Sequence, residues 1–197
     1  MFSDFVRKYS RTFLEPIARF ISYTSISPNV ITIIGFVLMI GVAIVLARGY
    51  LLLGGLLIIG VALFDALDGT LARMMGRTSR FGAFLDSTLD RFAEAVIYLG
   101  IMIHLMGEPN RELDIILIYA TIVGSLMVSY ARARAEGIGV PLKDGLFTRF
   151  ERILLLVLGL ILNQLRLVLW LLAIFSNLTA VQRMYLVWRI TGGEEGG

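Results

Sequence analysis

The stretch FDALDGTLARMMGRTSRFGAFLDSTLDRF, residues 64–92, holds four aspartates and no glutamate inside a chain that otherwise reads as membrane. Asp65 and Asp68 are three residues apart and Asp86 and Asp90 four, so each pair occupies one face of a helix. A short turn separates the two runs. They are therefore expected to pack as antiparallel neighbours, with both pairs at the same end. Four uncompensated anions there would repel one another and carry a heavy desolvation cost, so positive charge must sit among them. Arg73, Arg77 and Arg91 offer one solution, a salt-bridge cluster. Divalent cations offer another. Carboxylates without histidine or thiolate favour hard ions such as Mg2+ or Mn2+, and two ions about 3.5–4 Å apart suit in-line displacement at phosphorus.

The rest of the chain fixes where this cluster lies. Of 197 residues 57% are hydrophobic and 17% charged, against about 25% charge in a typical soluble domain. Apolar runs near 28–48, 51–75, 82–106, 113–136, 147–163 and 166–190 approach or exceed the roughly 20 residues a membrane helix needs. The first 27 residues are basic and amphipathic, with Phe5, Tyr9, Phe13, Ile17 and Phe20 at helical spacing. The expectation is an all-α integral membrane protein: an interfacial amphipathic helix over 1–27, a six-transmembrane-helix domain over 28–190 and a flexible tail over 191–197. Nothing at the N-terminus reads as a cleavable signal, and the absence of cysteine excludes disulfide and thiolate chemistry.

Charge sets the orientation. With six spans, only Arg48, Arg111 and Arg166 of the 18 basic residues fall on one side. The other side then takes both termini and the aspartates, and the positive-inside rule makes it cytoplasmic. A cytoplasmic membrane protein follows, with membrane lipid and not nucleic acid as its environment. Small residues flank the carboxylates. Gly69, Ala72 and Gly82 would let a ligand approach helix backbone closely, and Arg73 can grip a phosphate with two parallel hydrogen bonds.

Asp65-x2-Asp68-Gly69-x2-Ala72-Arg73-x8-Gly82-x3-Asp86-x3-Asp90 resembles, at every fixed position, the signature of the CDP-alcohol phosphotransferases. The six-helix layout and SPNVIT, which opens the first span, are similar to that family too. The resemblance implies transfer of a phosphatidyl-type group from a CDP-linked lipid to an alcohol with release of CMP, by a homodimer with a two-metal site. It implies that Asp65, Asp68, Asp86 and Asp90 ligate two Mg2+ ions, or Mn2+, and that Asp90 is the base for the acceptor hydroxyl. It also implies a CDP site formed by Asn29, Thr32, Asp68, Gly69, Ala72, Arg73 and Gly82. The chemistry is coherent, because the attacking alcohol must lose a proton as it bonds to phosphorus, and a carboxylate beside it can accept that proton.

The acceptor is read from basic residues further on. Arg132 and Arg134 in SYARARAEGIG (129–139), Arg152 in FTRFERI (147–153) and Arg183 in TAVQRMYLVW (179–188) are expected near cytoplasmic helix ends. Positive-inside topology alone would account for them; so would a phosphate-binding ring beside the aspartates. These segments resemble the phosphatidylinositol-phosphate synthase branch of the family and its archaeal ether-lipid relatives. That resemblance implies that the four arginines bind the phosphate of inositol 1-phosphate, with CDP-diacylglycerol or CDP-archaeol as donor. Arg132 and Glu94 depart from it, standing where Lys and Asp are more usual. Glu151 is expected to pair with a neighbouring arginine. Three other readings compete. Glycerol 3-phosphate also carries a phosphate and could be the acceptor of a phosphatidylglycerophosphate synthase. A divalent-cation transporter would need carboxylates near the bilayer midplane, and LLLGGLLIIG and VIYLGIMIHLMG contain none. An inactive structural subunit would not need the intact motif.

Overall fold

The structure, a computed structural model, describes residues 27–74, 79–142 and 145–192, with backbone alone for 66–74. Among these residues it is all helical: α1 Pro28–Ala47, α2 Leu51–Met74, α3 Arg80–Met106, α4 Glu112–Gly137, α5 Arg149–Ile161 and α6 Leu165–Thr191. The ends fall within about two residues of those read from the apolar runs. The expected interfacial helix over 1–27 and the tail beyond Gly192 lie essentially outside the described residues.

Three helices, α1, α4 and α6, are long and apolar enough to cross a membrane. Of the others, α3 and α5 are not among them, for separate physical reasons. In α2 the part whose side chains are described, Leu51–Asp65, is an apolar run. The N-terminal half of α3 carries Arg80, Asp86, Asp90, Arg91 and Glu94. Helix α5 has 13 residues, about 20 Å at 1.5 Å per residue, against a hydrocarbon core of about 30 Å. It is shorter than the run 147–163 suggested, because Thr148 caps its start and Asn163 adopts positive φ (53°) just beyond its end. Large apolar side chains such as Val37, Leu52, Ile116 and Leu167 point outward, each about half exposed or more. That pattern suits lipid rather than water.

The helices form two compact units, Met1–Ile101 and Met102–Gly197. In the first, Leu46, Ile58, Ile97 and Ile101 are buried. Phe36 of α1 meets Phe92 of α3 edge-on, with centroids 6.5 Å apart. Gly100 lets α3 lie directly on α1 backbone: a Cβ there would collide with the Ala43 carbonyl. In the second unit, α4 and α6 pack through Gly124, against Ser176 and Asn177. Asn177 Nδ2 bridges the pair by donating to the carbonyls of Ala120 (2.9 Å) and Ala173 (2.8 Å). Small residues at the contact and a polar side chain across it are how helices associate in lipid.

Candidate active site

Helix α2 supplies Asp65, and α3 supplies Asp86 and Asp90 one turn apart. Carboxylate oxygens of the three lie within 4.8 Å of one another, and all three side chains are half-buried. Two unit charges at that distance repel by about 3.5 kcal/mol at an effective dielectric of 20, so the arrangement calls for a cation. Arg91 Nη1 stands 3.8 Å from Asp90 Oδ2, long for a charge-assisted bond, and donates to the Ser87 carbonyl at 2.5 Å. A hard divalent ion suits this all-carboxylate donor set. Three oxygens on one Mg2+ would stand about 3.0 Å (adjacent) to about 4.2 Å (opposite) apart at about 2.1 Å per bond, so the carboxylates would draw in around a bound ion. Asp68, Gly69, Ala72 and Arg73 are helical, and their side chains lie outside the described set.

The first turns of α1 adjoin this cluster. Gly82 makes room for Asn29: a Cβ at Gly82 would stand 2.9 Å from Asn29 Oδ1 and 3.0 Å from Ser79 Oγ. Ser79 Oγ accepts the Gly82 N–H at 2.9 Å, so α3 begins at Arg80 rather than at Gly82. Thr32 is buried and donates to the Pro28 carbonyl at 3.1 Å. One turn further, a Cβ at Gly35 would sit 3.8 Å from Asp65 Oδ1, in ordinary contact. Asn29, Gly82 and Asp65 are thus drawn together by α1.

The arginines belong to the second unit. Arg132 and Arg134 lie in the last turns of α4, Arg152 in α5 and Arg183 in α6. Arg152 is 1% exposed and Arg183 4%. Arg183 is within electrostatic range of Arg132, Arg152 and Glu136, and its Nη1 donates to the Val128 carbonyl at 2.6 Å. Arg132 pairs with Glu136 at 2.8 Å on an exposed surface. Arg134 and Arg183 both line a cleft of about 360 Å3 between α4 and α6. Glu151 accepts the Thr148 N–H at 2.9 Å and closes a capping box at the start of α5, which sets the register that buries Arg152. Two nearly buried guanidinium groups near a third cation carry a desolvation cost that a bound dianion would offset.

One cluster escaped the sequence reading. Asp114 is 1% exposed at the start of α4. It accepts from Arg111 Nη1 (3.0 Å), Arg166 Nε (2.7 Å) and Arg166 Nη2 (3.0 Å). The charge distribution along the sequence places Arg111 and Arg166 on the sparsely charged side of the membrane and gives them no partner there. Asp114 and Arg132 are 18 residues apart on one helix, about 27 Å, so this clasp and Arg132 occupy opposite ends of α4.

Comparison with known proteins agrees with this geometry. The model of the family described as CDP-alcohol phosphatidyltransferase matches residues 25–186. Archaetidylinositol phosphate synthase of Pyrococcus horikoshii is 38% identical over 173 residues, covering 87% of this chain and 89% of that protein. Phosphatidylinositol phosphate synthase of Streptomyces avermitilis is 36% identical, covering 93% and 83%. The crystal structure of phosphatidylinositol phosphate synthase from Mycobacterium tuberculosis with CDP-DAG bound superposes with a TM-score of 0.83 at 32% identity, covering 89% of this chain and 93% of that one. The same enzyme in complex with manganese and citrate gives 0.85, covering 89% and 88%.

Proposed function

The chain belongs to the CDP-alcohol phosphatidyltransferase family, and from that premise we propose that it transfers a phosphatidyl or archaetidyl group from a CDP-linked lipid to inositol 1-phosphate. The acceptor hydroxyl oxygen bonds to the lipid-bearing phosphorus, the bond from that phosphorus to the CMP oxygen breaks, and CMP leaves. Asp90 takes the hydroxyl proton. Asp65, Asp68, Asp86 and Asp90 hold two Mg2+ ions, or Mn2+, and bound ions there would offset the pyrophosphate charge and that of departing CMP. Asn29, Thr32, Gly69, Ala72, Arg73 and Gly82, with Asp68, line the CDP site. Arg132, Arg134, Arg152 and Arg183 hold the acceptor phosphate. The observation that carries this acceptor is the burial of Arg152 and Arg183 within one electrostatic neighbourhood. Neutral inositol would bring no charge to them. Glycerol 3-phosphate would satisfy them, but the named relatives are inositol phosphate enzymes.

The same reading places 28–190 in the cytoplasmic membrane as a six-helix domain, with both termini and the site facing the cytoplasm, an interfacial helix over 1–27 and a homodimeric assembly. The test is CMP release by the purified protein in CDP-diacylglycerol mixed micelles with Mg2+, comparing inositol 1-phosphate, inositol and glycerol 3-phosphate. Release with inositol 1-phosphate alone is expected. Release with glycerol 3-phosphate alone would overturn the acceptor and keep the aspartate chemistry. If no acceptor supports release from CDP-diacylglycerol or CDP-archaeol, the transfer reading fails.

A further inference from the structure

We propose that Glu136 is a specificity residue of the acceptor site: its carboxylate accepts a hydrogen bond from a hydroxyl of the acceptor polyol, while Arg132 beside it holds the phosphate. The inference rests on the reading of Arg132, Arg152 and Arg183 as phosphate ligands. A pocket built for phosphate alone gains nothing from an anion, yet Glu136 stands among these arginines. Arg132 and Glu136 are four residues apart on α4 and so share a face, and Arg132 Nε donates to Glu136 Oε1 at 2.8 Å. Arg183, buried on α6, feels the charge of Glu136 together with those of Arg132 and Arg152. The carboxylate thus belongs to the same electrostatic neighbourhood as the guanidinium groups of three helices.

Helix stability does not account for Glu136. It lies in the last turn of α4, directly before Gly137 ends the helix, where the helix dipole favours cations over anions. The pair runs Arg then Glu, the weaker order for an i,i+4 ion pair. Both side chains are about half exposed, and exposed pairs contribute little. A residue that breaks local preferences without a structural gain marks a functional position. Chemistry identifies the group it would bind. An ionised carboxylate only accepts hydrogen bonds, and its oxygens offer about four lone-pair sites, so the bond from Arg132 leaves capacity for a donor. A phosphate dianion brings no donor, whereas a polyol does. Inositol 1-phosphate keeps several hydroxyls besides the one that attacks. A phosphate and a carboxylate bound to one guanidinium lie close enough for a single ring to touch both.

The experiment follows CMP release by the full chain in CDP-diacylglycerol mixed micelles with Mg2+, for wild type, E136A and E136Q. It reads KM for inositol 1-phosphate, KM for CDP-diacylglycerol, the inhibition constant of inorganic phosphate against inositol 1-phosphate, and a thermal midpoint. For E136A the expected result is a rise of about tenfold in KM for inositol 1-phosphate, the loss of one charge-assisted hydrogen bond, with KM for CDP-diacylglycerol unchanged and the midpoint not lowered. E136Q should move the same constant less, since its amide oxygen still accepts a hydrogen bond. Inorganic phosphate, which carries no polyol, should bind both variants at least as tightly as wild type, because a repelling charge has gone. A role confined to orienting Arg132 would instead weaken phosphate and inositol 1-phosphate by the same factor. That parallel loss would overturn the proposal, as would an unchanged KM for inositol 1-phosphate. If inorganic phosphate does not compete with inositol 1-phosphate in wild type, the arginine pocket itself fails and the proposal with it.

Discussion

Alanine at Gly100 is predicted to push α3 off α1. A Cβ there would lie 2.9 Å from both C and Cα of Ala43 and nearer still to its carbonyl oxygen. Carbon atoms pack best at about 3.5–4.0 Å, so the helices must part by somewhat under about 1 Å, since no rotamer change relieves a clash with backbone. Overpacking costs about 1–3 kcal/mol, and an obstacle made of backbone belongs at the upper end. Alanine's helix propensity returns about 1 kcal/mol, leaving a net loss of about 2 kcal/mol. Gly41, also helical, is the control: nothing lies within 4 Å of a Cβ there. G41A should therefore be neutral or more stable by up to about 1 kcal/mol, so the two variants should differ by about 3 kcal/mol. The assay is denaturant unfolding in detergent micelles followed by helical circular dichroism. Because α3 also carries Asp86 and Asp90, CMP release should fall in G100A, and misplacement on the order of 1 Å can cost about a hundredfold. A G100A protein as stable and as active as G41A would refute the reasoning.

Three further outcomes are predicted. D90N should bind CDP-lipid yet turn over about 10²- to 10⁴-fold more slowly, the usual contribution of a positioned base; normal turnover in a CMP-release assay would remove Asp90 from that role. Chelation with EDTA should abolish CMP release and Mg2+ or Mn2+ should restore it, with D86N raising the Mg2+ needed for half-maximal rate by about tenfold, the loss of one charged ligand; an unshifted Mg2+ titration would argue against Asp86 as a ligand. At the clasp, R166A should lower the thermal midpoint more than D114N does. Asp114 is 1% exposed whereas Arg166 is 50% exposed, so removing the arginine leaves a buried carboxylate with Arg111 as its remaining partner in the clasp, while neutralising the acid leaves an arginine that water can reach; equal shifts would contradict that asymmetry.

What could be read ahead of the structure follows how far each feature reaches along the chain. Helix ends were legible because apolar runs stop at local signals, such as Pro28 at the start of α1 and the Gly49 turn after it. The carboxylates were legible because Asp86 and Asp90 share a face by spacing alone, and only one short turn separates them from Asp65. Features closed by distant residues were not. Asp114 gave no signal because its main partner, Arg166, lies 52 residues away. Gly82 pointed to close approach but not to Asn29 as the group approaching, since glycine records that space is needed and not what fills it. The same limit separates the reaction from its acceptor. In-line transfer at phosphorus needs carboxylates at fixed helical intervals, a local pattern a sequence can display. The acceptor pocket proposed between α4, α5 and α6 depends on the depth of Arg152 and Arg183. That depth is set by a capping box on one helix and a carbonyl on another, and neither is encoded in the count of arginines.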